Sequence, residues 1–270
     1  MTDLPPEFDS IPARLGVTLS LDPEGRLEGV LDPDLGMCDR GVVPASALLF
    51  LADVVAGVNI DTDPEAWAFT SDASVRTPHV APPGPVACRS TELRGGRRSA
   101  TCEAPFTVDG EPWGHCFIAF SRVPRRDTDP PKPPFDASTV AARVAAPPID
   151  VPLREAAGFR SLDRSAGVVE VELRPDLLNP AGALQGAMVA GLAEAAAEDL
   201  ADHLRLLGTD RHAVTEIEVR YLAQNRVSPI ATRARVIDAE GGLVRVDLVD
   251  DAGRGRLTTA TLLRVRPALA

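Results

Sequence analysis

Residues 44–59 read Pro-Ala-Ser-Ala-Leu-Leu-Phe-Leu-Ala-Asp-Val-Val-Ala-Gly-Val-Asn, and this stretch decides the fold. It is apolar at nearly every helical position, which is typical of a helix that is buried on all faces. Asp53 has apolar neighbours at every helical spacing. Because an isolated buried charge is costly, we expect Asp53 to be hydrogen-bonded, paired or protonated, which makes it a candidate site residue. A bond to a backbone amide or to Arg76 would instead give it a structural role.

The same pattern occurs a second time in the chain. Residues 187–207 form an Ala-rich predicted helix that carries Glu194, at an offset of 141 from Asp53. Residues 74–76 (Ser-Val-Arg) correspond to residues 218–220 (Glu-Val-Arg) at an offset of 144. Because the matches are collinear, the sequence predicts two copies of one structural unit. Two helices would therefore carry an acid at an equivalent turn.

Each copy also predicts strands around its helix. The runs alternate apolar and polar residues and end in turn-forming residues. They lie at residues 26–31 before the first helix, 167–173 before the second, and 213–222, 230–238, 243–249 and 256–265 after it. We therefore expect an α+β fold, a tandem of two units in which a long antiparallel sheet surrounds one buried central helix.

A proline-rich segment separates the two copies. Residues 123–135 are so dense in proline that we expect neither a regular helix nor a central strand there. The sequence predicts an N-terminal domain at residues 1–125, an extended linker at residues 126–148 and a C-terminal domain at residues 149–270.

Composition excludes several classes of function. The chain has 270 residues and a net charge of −11, from 28 Lys and Arg against 39 Asp and Glu, which is the wrong sign for a nucleic-acid binder. Its most apolar stretch, residues 42–58, is interrupted by Asp53 and too short to span a bilayer. The start lacks the basic and apolar regions of a signal peptide. These features predict a cytoplasmic protein with no nucleic-acid partner and no membrane span.

A family resemblance enters at residues 179–187, Asn-Pro-Ala-Gly-Ala-Leu-Gln-Gly-Ala. This segment resembles the signature of hotdog-fold acyl-CoA thioesterases of the phenylacetyl-CoA thioesterase-like branch. Gln185 stands where that signature has a histidine, and Ala187 where it has a second glycine. The resemblance covers most of residues 150–266 and, more faintly through the repeat, residues 10–125. Four residues match the signature in register: Asn179, Gly182, Gly186 and Glu194.

The resemblance implies a fused double hotdog in which each site is shared between the copies. One site would combine Asn179, Gln185 and Gly186 with Asp53 and Thr70. The Gly186 N–H at the helix start would stabilise the oxyanion, and Asp53 would act as nucleophile or general base. Asn179 would orient the carbonyl or a water, with Gln185 and Thr70 in support. The implied substrate is an acyl-CoA, and we expect no cofactor and no metal.

The second shared site lacks most of these groups. There Glu194 would face the first copy's counterparts, which are Met37 or Cys38, Pro44 and Ala45, while the hydroxyl position on its own side of the site is Val214. We therefore expect one competent site around Asp53 and a relic or a binding pocket around Glu194. Glu198 and Asp199, one turn further along the helix, are predicted to be solvated.

Two other functions stay open. A hotdog hydratase or dehydratase would use an Asp/His pair, and no histidine falls at a helix start here. A catalytically inactive acyl-ligand binder would keep the pocket and lose the chemistry. Self-association beyond the intramolecular pseudo-dimer also stays open.

Overall fold

The computed structural model describes residues 10–33, 36–38, 42–78, 81–129, 131–132, 136–142, 146–208, 212–250 and 255–268. In the first part of the chain they form β1 (Val17–Leu21), β2 (Leu27–Leu31), α1 (Ala45–Ile60), β3 (Ala66–Arg76), β4 (Val86–Cys88), β5 (Thr91–Gly95), β6 (Ser99–Val108) and β7 (Glu111–Pro124). The second part contributes α2 (Ala137–Ala141), α3 (Leu153–Ala157), β8 (Arg160–Asp163), β9 (Val168–Val171), α4 (Gly186–Leu204), β10 (His212–Tyr221), β11 (Ile230–Asp238), β12 (Leu243–Asp250) and β13 (Arg256–Pro267).

All of these strands belong to one sheet. Its order is β1-β2-β4-β6-β7-β3-β10-β13-β12-β11-β9-β8, with β5 paired to β6 beside this path. The strands of the second half follow the same order as those of the first, read from the centre outwards. Each half thus builds the same sheet around its own long helix, as the sequence predicts.

The two halves join where β3 pairs with β10. Ser74 lies opposite Glu218, the residue at an offset of 144 that the sequence repeat assigns as its counterpart. Asp72 and Arg76 lie opposite Arg220 and Glu216, two residues to either side. This register is the one that a pseudo-two-fold axis through the central pair requires.

The helices α1 and α4 pack against each other and against the sheet. Leu48, Leu49 and Leu51 of α1 are fully buried, because the sheet covers one side of this helix and α4 another. Where the helices meet, a Cβ on Gly191 would lie 3.3 Å from Ser46 Oγ, so the glycine permits a close approach. No helix of the described residues is long and apolar enough to cross a membrane.

The structure departs from two expectations for the proline-rich region, that residues 123–135 hold no central strand and that residues 126–148 are extended. The strand β7 continues through Val123 and Pro124, which lie opposite Trp67 and Ala66, because a proline at the last residue of a strand costs little pairing. In addition, α2 lies within residues 126–148. No proline occurs at residues 136–146, and Asp136 caps this helix by accepting a 2.8 Å hydrogen bond from the Thr139 N–H. Residues 133–135 lie outside the described residues, and the domain boundaries stay a prediction.

Candidate active site

Asp53 lies on α1 and faces the start of α4. The Thr70 hydroxyl, on β3, donates a 2.5 Å hydrogen bond to Asp53 Oδ1, and Gln185 Nε2 lies 3.5 Å from Asp53 Oδ2. The structure thus brings together three residues that the sequence analysis placed in one site. The structural alternative, an ion pair between Asp53 and Arg76, is wrong. Arg76 pairs at 2.9 Å with Glu218 instead.

Asp53 holds its proton more tightly in this environment than a free aspartate does in water. Burial raises its pKa to about 6, although the Thr70 hydrogen bond acts in the opposite direction. The side chain nevertheless keeps part of its surface accessible. A carboxyl group with this pKa is largely ionised at neutral pH and still accepts a proton readily, which is what a general base needs.

The start of α4 offers hydrogen-bond donors next to this carboxylate. Gln185 is the N-cap, and its Oε1 accepts a 2.6 Å hydrogen bond from the Ala187 N–H. Within the described part of the chain, the Gly186 N–H has no acceptor. Because a helix N-terminus carries partial positive charge, this open N–H is suited to hold a developing oxyanion.

Tyr221 also belongs to this site, and the sequence analysis missed it. Its hydroxyl donates a 2.9 Å hydrogen bond to the Gly186 carbonyl. Burial, followed by the charge of Asp53, raises the pKa of Tyr221 well above its usual value. Tyr221 is the only tyrosine of the chain and lies next to the last residue of a predicted strand, which was the available signal, since a buried phenol needs a partner.

Asn179 organises the loop that leads into α4. Its Oδ1 accepts hydrogen bonds of 3.1 Å from the N–H groups of Ala181 and Ala183, around Gly182 at a φ of +77°. No hydrogen bond joins Asn179 to Asp53 among the described residues. Its role in orienting a substrate carbonyl or water stays a prediction.

Glu194 makes a different set of contacts at the start of α1. It is 5% exposed and accepts hydrogen bonds from the Ala45 N–H at 2.8 Å, the Ser46 N–H at 3.1 Å and the Ser46 hydroxyl at 2.7 Å. The hydroxyl beside this acid therefore comes from the facing helix and not from position 214, where Val214 is buried and apolar. Glu194 caps α1 with its own carboxylate.

Two sequence differences between the halves explain why the equivalent sites differ: the N-cap is Pro44 in one and Gln185 in the other, and the acid is Asp53 in one and Glu194 in the other. Pro44 is the N-cap of α1, whereas Gln185 is the N-cap of α4. Proline offers no side-chain hydrogen bond, so the N–H groups of α1 are left for Glu194. At α4, Gln185 occupies one N–H and lies between the helix and Asp53, whose side chain is one methylene shorter than that of glutamate. The N–H groups of Ala45 and Ser46 at the start of α1 are therefore bonded to Glu194. At the start of α4, the Gly186 N–H beside Asp53 has no acceptor among the described residues.

A cavity of about 310 Å³ lies on the Glu194 side. Glu198 and Asp199 line it, and Asp199 is only 1% exposed, so the prediction that Asp199 is solvated is wrong. Two 2.8 Å hydrogen bonds from Arg154 compensate its charge, and this arginine lies on α3, a helix that the sequence analysis did not predict. Burial, followed by the charge of Glu194, raises the pKa of Glu198 well above its usual value.

No group of three or more His, Cys, Asp or Glu in the described ranges is arranged to hold a metal ion.

Solved structures share this architecture over nearly the whole chain. A protein of unknown function with a hotdog fold from Alicyclobacillus acidocaldarius superposes with a TM-score of 0.55 at 15% identity, covering 96% of both chains. The chain has a double hotdog fold. Its fold is also that of an acyl-ACP thioesterase from Bacteroides thetaiotaomicron (TM-score 0.58, 10% identity, 88% of this chain and 96% of that one). An acyl-CoA thioesterase II from Mycobacterium marinum has it too (TM-score 0.51, 15% identity, 94% and 95%).

No protein-family model matches the sequence, and no curated protein matches it either. In this double hotdog, α1 and α4 are the two central helices. Asp53 and Glu194 each lie where the middle of one central helix meets the start of the other.

Proposed function

We propose that this double hotdog hydrolyses an acyl-CoA thioester at the Asp53 site. The observation that carries the proposal is the contact of Asp53 with Thr70 and Gln185 beside the open N–H of Gly186. The thioester substrate class is supported by the solved hotdog structures described as acyl-CoA and acyl-ACP thioesterases.

In the proposed reaction, Asp53 acts as a general base on water. Thr70 and Gln185 hold its two carboxylate oxygens and so fix its direction. The water attacks the thioester carbonyl while its proton passes to Asp53. The charge that develops on the carbonyl oxygen is stabilised by the Gly186 N–H and the start of α4. The C–S bond then breaks, and the departing sulfur takes the proton that Asp53 accepted from the water, which releases the acid and the thiol and restores the Asp53 carboxylate.

Direct attack by Asp53 is the competing mechanism. It would form a mixed anhydride between Asp53 and the acyl group, which water then hydrolyses. Label in the Asp53 carboxylate after a single turnover in H₂¹⁸O would establish direct attack, because water that attacks the Asp53 carbonyl of the anhydride places ¹⁸O there. We expect ¹⁸O in the released acid and none in Asp53.

The contacts of the described histidines argue against a hydratase. His115 bonds to Glu103 at 3.0 Å, and His212 Nε2 lies 2.7 Å from Asp202. No described histidine hydrogen bonds to Asp53, so the described residues form no Asp/His pair there. His79 lies outside the described residues.

The test is thiol release from short-, medium-, long-chain and aryl acyl-CoAs, with an acyl carrier protein thioester as a separate arm. We expect turnover by the wild type and a loss of about 10²–10⁴-fold in Asp53→Asn. The matched control is Glu194→Gln, which removes the equivalent acid and should retain turnover. Thermal stabilisation by acyl-CoA without turnover would make the protein an acyl-ligand binder. Loss of turnover in Glu194→Gln alone would place the active site at the other helix start.

A further inference from the structure

Tyr221 contacts the start of α4 from the end of β10. Its hydroxyl donates to the Gly186 carbonyl at 2.9 Å. The same planar peptide unit carries the Ala187 N–H, which donates to Gln185 Oε1 at 2.6 Å. This single peptide unit is therefore held at both ends, by a phenol and by a carboxamide oxygen.

That arrangement determines which end of the Gln185 carboxamide meets Asp53. Because Oε1 accepts from the Ala187 N–H, Nε2 is the atom that lies 3.5 Å from Asp53 Oδ2. With the carboxamide reversed, Oε1 would face the carboxylate, and two acceptors would repel each other. The orientation of the Gly186–Ala187 peptide thus decides whether Gln185 can donate to Asp53.

Tyr221 is also packed against the first residue of α4. A Cβ on Gly186 would lie 3.3 Å from the Tyr221 hydroxyl oxygen and 3.5 Å from the ring carbon that bears it. The glycine therefore lets the phenol lie directly across the helix start. A shift of this turn would move both the Gly186 N–H and the Gln185 side chain.

We propose that Tyr221 is a positioning residue of the Asp53 site: it fixes the Gly186–Ala187 peptide unit and, through it, the carboxamide that donates to Asp53. Its effect on turnover rests on the proposed function. Its effect on the Asp53 carboxyl group does not, and can be measured without substrate.

The experiment uses Tyr221→Phe, which keeps the ring and removes the hydroxyl. Two quantities are measured: kcat and KM for the best acyl-CoA, and the titration of Asp53 by NMR of ¹³Cγ-labelled aspartate, assigned by comparison with Asp53→Asn. We expect kcat to fall about 10- to 100-fold with KM within about twofold. The Asp53 titration midpoint should move to higher pH, since a carboxylate that loses a donor holds its proton more tightly.

The matched control is Thr261→Val. Thr261 also donates a buried hydroxyl to a backbone carbonyl, that of Val246 at 2.7 Å, but within the sheet. This variant should leave both readouts at their wild-type values. A general loss of packing would lower the stability of both variants without moving the Asp53 midpoint.

A double variant tests whether Tyr221 acts through Gln185. In a Gln185→Met background, Tyr221→Phe should cause no further shift of the Asp53 midpoint, because the intermediary is gone. An equal shift in both backgrounds would overturn the proposal in favour of a direct effect of the phenol on Asp53. An unchanged midpoint in Tyr221→Phe would overturn it as well. If the wild type hydrolyses no acyl-CoA, the proposed function fails, while the NMR titration still decides the role of Tyr221.

Discussion

Glu194 Oε1 accepts a 2.8 Å hydrogen bond from the backbone N–H of Ala45, so a carboxylate on one central helix caps the first turn of the other. Asp53 occupies the equivalent turn of its own helix, yet it bonds to Thr70 and leaves the Gly186 N–H open. In one half, the acid on the central helix caps the facing helix. In the other half, the equivalent acid and the facing helix start are available for chemistry.

Replacing Glu194 by glutamine should reduce stability more than activity. A carboxamide cannot accept hydrogen bonds with both ends, so one of the donors of Ala45 and Ser46 loses its partner. We expect the free energy of unfolding to fall by about 1–3 kcal/mol, measured by urea denaturation. Thiol release at a temperature where both proteins are folded should change by less than about threefold.

Glu198→Gln is the control for that experiment. Burial raises the pKa of Glu198, and no hydrogen bond is formed by its side chain among the described residues, so the amide should cost little or add stability. Equal destabilisation by the two variants would show that the Ala45 and Ser46 contacts contribute nothing specific.

Lengthening Asp53 by one methylene should convert its site into a copy of the other. In Asp53→Glu, the carboxylate can extend towards the N–H groups of Gly186 and Ala187 and displace Gln185. We expect turnover to fall at least about 10²-fold while the melting temperature stays the same or rises. Hydrolysis at the wild-type rate would mean that side-chain length does not separate the two sites.

The raised pKa of Asp53 predicts how activity depends on pH. Asp53 must be ionised to accept a proton, so kcat/KM should rise with pH through an apparent pKa of about 6. The measurement is a rate profile from pH 4.5 to 8.5 with the best acyl-CoA. A profile that is flat across pH 6 would contradict a role for Asp53 as the base.

The same shift predicts how stability depends on pH. The pKa of Asp53 is about 6 in the folded chain against 3.8 for an unperturbed aspartate, so the folded state binds the extra proton between these values. The stabilisation from Asp53 is complete below pH 3.8 and is lost as pH rises through 6. Asp53→Asn should therefore be more stable than the wild type by about 1–3 kcal/mol at pH 8 and no more stable at pH 4. Unfolding curves at both pH values check this.

Sequence reasoning predicted the parts of the fold that rest on local patterns. The apolar run around Asp53 and the Ala-rich run around Glu194 predict two buried helices, because each run is apolar over most of its length, and the double hotdog fold is confirmed. The site residues remain a prediction, although Asp53, Thr70 and Gln185 do meet. The contact of Glu194 with Ala45 could not be predicted, since it crosses 149 positions and depends on the length of one side chain.

The ion pair of Arg154 and Asp199 gives the last prediction. Asp199 is 1% exposed and Arg154 is the only cation that forms two hydrogen bonds with it among the described residues, while Arg164 Nε lies 3.6 Å away. Arg154→Met should lower the free energy of unfolding by about 2–4 kcal/mol, because the buried carboxylate then keeps only the 2.5 Å hydrogen bond from the Ser161 hydroxyl and the more distant Arg164.

Two further variants test that explanation of the loss. Arg76→Met removes an exposed arginine whose partner Glu218 is partly exposed, and it should cost at most about 1 kcal/mol. Adding Asp199→Asn to Arg154→Met should recover part of the lost stability, since it removes the unpaired charge. If the double variant is as unstable as the sum of the two single variants, the loss comes from packing of the arginine chain and not from the stranded carboxylate.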